Sequence, residues 1–252
     1  MKDIMDDNLA GRVALVTGAC GGIGRAICQR LAAEGLHLVL VDWDAEGLEA
    51  LASSLATDTF VSAVDVSDAE AVAREHESIV RQFAKIDILV NCAGILSNNK
   101  LLSTDPVEWR HVMSVNLDSA LYWSQAVIPH MCEKGFGRII NITSFAWKAG
   151  GITAGTAYTA SKGGMVSLTF SIAREFADQG ITVNGIAPCY VMTPMVSEQL
   201  TEEQRRTTLG FLPVKRFCAP EEVAHTVRFL ASPLSGFITG EIIDMNGGLQ
   251  FD

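Results

Sequence analysis

The chain has 252 residues, of which 48% are hydrophobic and 19% are charged, and its formal net charge is −10 at pH 7. Together with a mean hydropathy of +0.25, these values predict a well-cored globular protein. The acidic balance argues against nucleic acid and anionic membrane surfaces as partners, since both repel a negatively charged protein. No apolar run reaches the roughly 18 residues that a membrane-spanning helix needs.

The cysteines and histidines show no metal-binding pattern. The six cysteines include no CxxC pair, and the five histidines include no HExxH sequence. We therefore expect no metal site. Free thiols in a reducing compartment are the simplest interpretation, which predicts a cytoplasmic protein.

Short apolar runs alternate with helix-length segments along the chain. The predicted strands are Val13–Thr17, Leu38–Val41, Phe60–Val64, Ile86–Val90, Arg138–Ile142, Ile181–Ile186 and Ile242–Met245. The predicted helices are Ile23–Glu34, Ala45–Leu55, Ala69–Phe83, Val107–Met131, Ala157–Phe176 and Pro220–Leu230. This alternation predicts right-handed βαβ units and a parallel sheet that binds ligands at the carboxyl ends of its strands. No linker composition divides the chain, so we expect one domain over residues 1–252.

The segment Tyr190–Phe217 interrupts this alternation. It is long, it includes a helix-forming stretch at Thr201–Arg206, and it mixes aromatic, apolar and charged residues. Long excursions of this kind in compact domains are often lids over a ligand site. A surface insertion with a small core of its own is the alternative interpretation.

A glycine-rich turn, Thr17-Gly-Ala-Cys-Gly-Gly-Ile-Gly24, lies between the first predicted strand and the first predicted helix. In this context such a turn can hold the pyrophosphate of a dinucleotide at a helix N-terminus. Gly18 allows the sharp turn, Gly22 lets the backbone approach phosphate, and Gly24 allows close helix–strand packing. Glycine turns also occur without a ligand, so the motif alone does not establish a cofactor.

Asp42 closes the second predicted strand, at the distance from the glycines where dinucleotide-binding folds carry an acidic residue. A carboxylate there accepts hydrogen bonds from the adenosine ribose and repels a 2′-phosphate. No arginine stands at Cys20 or Gly21, so the sequence favours NAD over NADP. The alternative role for Asp42 is to cap the next helix, although Asp44 fits that cap better.

Tyr158 and Lys162 are four residues apart in a predicted helix and therefore share one face. A lysine ammonium in that position can lower the pKa of the phenol, normally about 10, toward the working pH. Such a phenol can exchange a proton with an alcohol or ketone oxygen. Together with the glycine turn, the pair predicts hydride transfer at a carbonyl carbon. Alone, Tyr-x-x-x-Lys is more often a solvated helix face.

Taken in order, these motifs resemble the short-chain dehydrogenase/reductase family over nearly the whole chain. The ordered markers are Thr17–Gly24, Asp65-Val66, Asn91-Cys-Ala-Gly94, Asn116, Ser144, Tyr158 with Lys162, Pro188 with Thr193, and Asn246-Gly-Gly248. The resemblance implies an α/β fold, a Rossmann-like three-layer αβα sandwich with a seven-stranded parallel sheet. It also implies a homotetramer.

The resemblance assigns a role to each marker. Tyr158 would be the general acid/base, Lys162 would bind the nicotinamide ribose and lower the pKa of Tyr158, and Ser144 would hold the substrate oxygen. Asn116 would position a water in a proton relay. The implied cofactor-binding residues are Gly18, Gly22, Ile23, Gly24, Asp42, Asp65, Val66, Asn91, Ala93, Gly94, Tyr158, Lys162, Pro188, Val191 and Thr193.

Several residues have alternative interpretations. Ser144 could be an ordinary turn residue after a strand, and Asn116 could be a helix-face amide or mark a kink. Asn141 is interpreted as structural. Trp147 and Lys148 could line the substrate cleft or lie in a solvated loop.

Two positions depart from the family pattern. Cys92 stands where the family usually has a second asparagine, and this change is expected to affect packing more than chemistry. Cys189 stands where the family usually has glycine. Because cysteine lacks glycine's freedom at positive φ, we expect an altered loop over the nicotinamide, which affects the roles of Val191 and Thr193.

The leading hypothesis is an NAD(H)-dependent oxidoreductase that interconverts a secondary alcohol and a ketone. The C-terminal half resembles 3-oxoacyl-carrier-protein reductases, which usually prefer NADPH and carry an arginine in the glycine turn that this chain lacks. A 3-oxoacyl or 3-hydroxyacyl compound and a polyol or sugar both remain open as the small-molecule substrate. The alternative class is a non-catalytic NAD(H)-sensing relative, which would not need the catalytic residues.

Overall fold

The computed structural model describes residues 7–193 and 201–251, except for the side chain of Gln204. The strands β1 to β7 are Val13–Thr17, His37–Asp42, Thr59–Ala63, Ile88–Asn91, Gly137–Ile142, Ile181–Pro188 and Ile242–Met245. All seven pair in parallel, in the order β3-β2-β1-β4-β5-β6-β7. The order reverses direction between β1 and β4, which is where such sheets bind ligands. The predicted fold is therefore confirmed, and so is each predicted strand.

Helices cover both faces of the sheet. The helices α1 to α9 are Gly22–Ala33, Ala45–Ser54, Ala69–Phe83, Pro106–Met113, Ser119–Lys134, Ala146–Ala149, Thr156–Phe176, Glu202–Phe211 and Pro220–Ala231. One core layer joins Ala14 and Val16 of β1 to α1, α2 and α9. The other joins Val13 and Leu15 to α3, α5 and α7, with Trp123 fully buried. Strands buried on both faces explain why they read as continuous apolar runs.

The predicted helix over Val107–Met131 is present as an unbroken helical stretch from Pro106 to Lys134, but its helical period changes within that stretch. A π-helical turn at Ser114–Asp118 separates α4 from α5. Asn116 lies in this turn, and its side chain bonds to the main chain of Ile95 and to Ser161 of α7. The change in helical period thus coincides with contacts to residues far away along the chain. The pattern of apolar residues in the sequence does not reveal such contacts.

The segment after β6 is described in two parts, residues 190–193 and 201–217, and the part of the predicted lid at residues 194–200 lies outside the described residues. Val191 pairs with Cys218 in a parallel bridge, and the Met192 amide donates to the Cys218 carbonyl at 2.9 Å. The predicted helix-forming stretch becomes α8. None of the described helices is long and apolar enough to cross a bilayer.

Candidate active site

A cavity of about 1460 Å³ opens at the carboxyl ends of the strands. It is bordered by Gly18 after β1, Asp42 at the end of β2, Cys92 after β4, Thr143 after β5 and Pro188 at the end of β6. Small-ligand pockets usually measure roughly 300–1,000 Å³. The larger volume therefore has room for a dinucleotide together with a second molecule.

The cavity brings together predicted site residues from the ends of six strands and from α1 and α7. Those that line it are Gly18, Gly22, Ile23, Gly24, Asp42, Asp65, Val66, Ala93, Gly94, Ser144, Tyr158, Lys162, Pro188, Val191 and Thr193. Asn91 and Asn116 do not line it. Both are buried behind the wall, where their side chains hold other elements in place.

Two glycines of the turn, Gly18 and Gly24, leave no room for a side chain. Gly18 has a φ of +67°, and a Cβ added there would lie 2.8 Å from the Ala93 Cα atom. A Cβ on Gly24 would overlap the Gly18 carbonyl oxygen. The first turn of α1 has neither a side-chain cap nor an acidic residue. Its N–H groups and partial positive charge therefore remain available to an anion in the cavity.

Asp42 braces the glycine turn from the second strand. Its Oδ2 accepts a hydrogen bond from the Cys20 amide at 2.9 Å, and its Oδ1 accepts one from the Trp43 amide at 2.8 Å. The N-terminus of α2 is capped instead by Asp44, which accepts from the Gly47 amide at 3.0 Å. The alternative that Asp42 caps this helix is therefore wrong.

Asp65 lies farther along the same wall, next to Val66. Its Oδ1 accepts hydrogen bonds from the Ser67 hydroxyl at 2.7 Å and from the Ser67 amide at 2.9 Å. These bonds hold the pKa of Asp65 below its ordinary value, and the nearby His111 lowers it further. This part of the cavity wall therefore carries an ionised carboxylate near neutral pH.

The Asn91 side chain joins secondary-structure elements instead of lining the cavity. It donates to Asn141 of β5 at 2.8 Å, and Asn141 in turn donates to Thr169 of α7 at 2.8 Å. Asn141 is thus structural, as interpreted from the sequence. Cys92, next along the chain, lines the cavity, and burial raises the pKa of its thiol to about 12.

Ser144 and Tyr158 form a hydroxyl pair beside the cavity. The Ser144 hydroxyl lies close enough to the Tyr158 phenol to act on its pKa, and it accepts a hydrogen bond from the Ala146 amide at 3.2 Å. Burial raises the pKa of Tyr158 above its ordinary value, and the neighbouring Ser144 hydroxyl opposes this rise. Two hydroxyl groups are thus available at one place to meet a single substrate oxygen.

Lys162 is buried beside this pair. Its Nζ donates to the Ile142 carbonyl at 2.8 Å and lies 5.9 Å from the centre of the Tyr158 ring. Burial lowers the pKa of Lys162 to about 8. In this arrangement burial raises the pKa of Tyr158 and the Lys162 ammonium is bonded to a carbonyl. That Lys162 lowers the pKa of Tyr158 stays a prediction.

Both polar atoms of the Asn116 side chain have hydrogen-bond partners within the protein. Its Oδ1 accepts from the Ile95 amide at 2.8 Å, and its Nδ2 donates to the Ile95 carbonyl and to the Ser161 hydroxyl, both at 3.0 Å. A Cβ on Gly94 would lie 3.3 Å from this amide and 3.4 Å from the Lys162 Nζ atom. Asn116 therefore fixes the segment that passes Lys162, and a role in a water relay stays a prediction.

The Cys189 substitution does not occupy a left-handed backbone position. The residue with positive φ is Tyr190, at 46°, which is uncommon for a bulky side chain. Cys189 is buried, and its amide donates to the Met245 carbonyl at 3.0 Å. The expectation that Cys189 itself stands at a positive φ is thus wrong. The residue with the unusual backbone is the next one, Tyr190, which also lines the cavity.

Several cavity residues had no role in the sequence analysis. The loop between Ser144 and Tyr158 contributes Ile152, Thr153 and Ala154, and its place between two candidate catalytic residues could have indicated this. His111 also lines the cavity, and no sequence motif indicated this.

The structure decides between the two interpretations of Trp147 and Lys148. Neither residue lines the cavity, and the Lys148 ammonium pairs with Asp244 at 2.8 Å. No metal-ligand cluster occurs among the described His, Cys, Asp and Glu side chains.

Known proteins are similar to this chain in sequence and in fold. The family model described as enoyl-(acyl carrier protein) reductase matches residues 18–250. A 3-oxoacyl-(acyl-carrier-protein) reductase of Vibrio cholerae is 41% identical over 243 residues, covering 96% of this chain and 98% of the relative. An acetoacetyl-CoA reductase of Allochromatium vinosum is 39% identical, covering 94% of this chain and 98% of the relative.

The fold also matches a solved structure of a proposed gluconate dehydrogenase from Agrobacterium tumefaciens. The TM-score is 0.90 at 31% identity, and the match covers 96% of this chain and 97% of that one. Fold, ordered motifs and similarity over the full domain agree. The chain is therefore an oxidoreductase of the short-chain dehydrogenase/reductase family.

Proposed function

We propose that the protein is an NAD(H)-dependent enzyme that interconverts a secondary alcohol and a ketone, with Tyr158 as general acid/base. The observation that carries this proposal is that Ser144, Tyr158 and the buried Lys162 line the same cavity, with the Ser144 hydroxyl near the Tyr158 phenol. A cofactor-sensing protein without turnover would not need this pair.

The cavity residues fit a nicotinamide dinucleotide. Main-chain N–H groups of the glycine turn and of the α1 N-terminus would bind the pyrophosphate. The Asp42 carboxylate would accept hydrogen bonds from ribose hydroxyls. When bound, the nicotinamide supplies or accepts a hydride. Lys162 and Gly94 lie at the other end of this path and would border the nicotinamide ribose.

The protein residues supply the proton and the electrostatics. With a pKa raised above its ordinary value, the Tyr158 phenol is protonated at neutral pH and ready to donate to a ketone oxygen. The Ser144 hydroxyl can donate a hydrogen bond to the same oxygen as negative charge develops on it. In the reverse direction Tyr158 accepts the proton of the alcohol.

Charge supports NAD over NADP as the cofactor. Asp42, Asp44 and Glu46 all line the end of the cavity next to the glycine turn. Three carboxyl groups there would repel the 2′-phosphate of NADP. Steady-state kinetics with both reduced cofactors tests this proposal, and equal or greater kcat/KM with NADPH would contradict it.

The substrate side favours an acyl ketone. Leu96, Phe145, Ile152 and Ala154 give this part of the cavity apolar walls, and the Vibrio and Allochromatium relatives are named for 3-oxoacyl and acetoacetyl substrates. We therefore propose a 3-oxoacyl or 3-hydroxyacyl thioester. A polyol or sugar is the second candidate, favoured by the similarity to the proposed gluconate dehydrogenase.

A panel of substrates tests the reaction. Acetoacetyl-CoA and other 3-oxoacyl thioesters would be assayed with NADH and NADPH, and polyols and aldonic acids with NAD and NADP, by nicotinamide absorbance. We expect NADH-dependent reduction of the 3-oxoacyl thioesters. Tight NADH binding without turnover of any substrate would support the sensing alternative.

We further propose a homotetramer in the cytoplasm, with the whole chain as one domain and residues 190–217 as a substrate lid. Several large apolar side chains are exposed, among them Leu101, Leu102, Val107, Phe229 and Phe237. Exposed apolar surfaces of this kind suit contacts between subunits. All six cysteines are free, which suits a reducing compartment. A monomeric mass by light scattering would contradict the oligomer.

A further inference from the structure

The loop formed by residues 150–155 needs support from outside itself. It connects α6, which follows Ser144, to α7, which carries Tyr158, and it contributes Ile152, Thr153 and Ala154 to the cavity wall. Ile152 is 64% exposed, so its own apolar side chain gives the loop little anchorage. The position of this wall therefore depends on contacts made by its main chain.

Lys100 makes several of those contacts. Its Nζ donates to the carbonyl oxygens of Gly151 and Ala154, each at 2.6 Å, and lies 3.5 Å from the carbonyl oxygen of Ile152. An ammonium group carries three donors that can point in different directions, and hydrogen bonds from a charged donor are the stronger kind. One side chain thus gathers three carbonyl groups from a single short loop.

The main chain next to Lys100 holds the end of the same loop. The Gly155 amide donates to the Ser97 carbonyl at 2.6 Å, and the Thr156 amide donates to the Asn99 carbonyl at 2.9 Å. A Cβ on Gly155 would lie only 2.5 Å from the Asn99 carbonyl oxygen, so the two chain segments pass in direct contact.

Residues 97–100 are themselves anchored to α4. The Glu108 carboxylate accepts hydrogen bonds from the Ser97 hydroxyl and, at 2.8 Å, from the Asn99 side chain. The loop over the substrate side is therefore connected through residues 97–100 to a helix of the scaffold.

We propose that Lys100 is a positioning residue for the substrate. Its ammonium group fixes residues 151–154 against residues 97–100 and thereby sets the shape of the substrate side of the cavity. The kinetic consequence rests on the proposed function, whereas the effect on the loop does not. Arginine would replace lysine only in part, because its planar fork cannot direct donors to three carbonyl groups around one point.

The central test is Lys100→Met, which keeps an unbranched stem and removes the charge and the donors. We expect KM for the ketone to rise about ten- to hundredfold, since small displacements of positioning groups have effects of this size. The expected change in kcat is smaller. The affinity for NADH and the pH dependence of kcat should stay unchanged, because Lys100 contacts neither the glycine turn nor Tyr158. Lys100→Arg should recover part of the loss in KM.

The matched control is Lys134→Met at the exposed end of α5, which should leave every parameter unchanged. Gly155→Ala attacks the same connection from the loop side and should also raise KM. Because both substitutions release one connection, their combined effect should be less than the product of the single effects.

Hydrogen exchange separates this proposal from the proposed function. Lys100→Met should accelerate exchange in residues 151–156, whether or not the wild type turns over any ketone. If the wild type is inactive while exchange accelerates, the proposed function fails and the positioning contact stands. Unchanged exchange in this loop, or accelerated exchange in an active variant with unchanged KM, would overturn the positioning role.

Discussion

The two ends of the cavity are built in different ways. At the end next to the glycine turn, where we propose that the adenosine binds (the adenosine end), main-chain amides of the turn meet the end of β2. The Ala19 amide donates to the Val41 carbonyl at 3.1 Å, and the Cys20 amide donates to the Asp42 carboxylate, 22 residues away. At the substrate end, Lys100 reaches carbonyl groups 51 and 54 residues away, and Asn116 reaches Ser161, 45 residues away. The first end is built around one strand–turn–helix unit, whereas the second has no such unit at its centre and is formed by side chains that bridge separate segments.

The ends also differ in their electrostatics. The adenosine end presents carboxylates, among them Asp65 with its lowered pKa. At the substrate end, burial shifts both catalytic candidates away from their charged forms, raising the pKa of Tyr158 and lowering that of Lys162 to about 8. In the proposed function, the adenosine end would therefore select the cofactor by fixed charge, whereas the substrate end holds groups whose protons can move.

The largest expected effect tests the separation of the two ends. Tyr158→Phe removes the proton donor at the substrate end and should reduce kcat by about 10²–10⁴-fold. Binding of NADH, measured by fluorescence titration, should change little because the adenosine end is untouched. A Tyr158→Phe variant that retains most of its activity would refute the assignment of the general acid/base.

A second substitution attacks the adenosine end. Gly24→Ala places a methyl group on the Gly18 carbonyl oxygen, so the turn must open and NADH affinity should fall by more than about tenfold, or roughly 1.4 kcal/mol. The matched control is Gly21→Ala, where the added Cβ would lie 3.3 Å from the same oxygen and could be accommodated by a small shift. Equal affinities in the two variants would show that the close approach at Gly24 is not required.

A third substitution separates charge from shape at the adenosine end. Asp42→Asn removes the negative charge and keeps an oxygen that can accept from the Cys20 amide. We expect the ratio of kcat/KM with NADH to that with NADPH to fall by about tenfold, the effect of roughly 1.4 kcal/mol. Asp42→Ala should also lower the ratio of kcat/KM with NADH to that with NADPH. In addition it should weaken NADH binding, because the glycine turn loses the hydrogen bond between the Cys20 amide and Asp42. An unchanged ratio in Asp42→Asn would argue against selection by charge.

The smallest expected effect concerns stability and pH. Folding lowers the pKa of Lys162 from 10.5 to about 8, so between these values the unfolded chain binds more protons than the folded one. Stability contributed by this group therefore rises with pH in that window and is flat below it.

Urea unfolding of wild type and Lys162→Met measures this contribution. From pH 7 to pH 9, wild type should gain about 1 kcal/mol relative to the variant. The subtraction removes the titration of the cysteines, which both proteins share. A difference in unfolding free energy that does not vary with pH would show that burial does not lower the pKa of Lys162.

The succession of strands and helices along the chain, and the residues of the local motifs, could be predicted from the amino-acid sequence alone. Apolar runs predict the seven strands because a doubly covered parallel sheet buries both faces of each one. The turn from Thr17 to Gly24 could be interpreted because its function depends on main-chain geometry that glycine permits. Such features are encoded within a few residues, where steric and hydrophobic preferences act directly.

The contacts among those residues, and the shifts in their pKa values, depend on the tertiary structure. The π-helical turn at Asn116, the positive φ at Tyr190, the raised pKa of Tyr158 and the contacts of Lys100 have no local signature. Each depends on burial or on partners that lie far away along the chain. Spacing can place Lys162 near Tyr158, but only the folded environment decides whether desolvation or charge controls the phenol, since desolvation depends on everything packed around it.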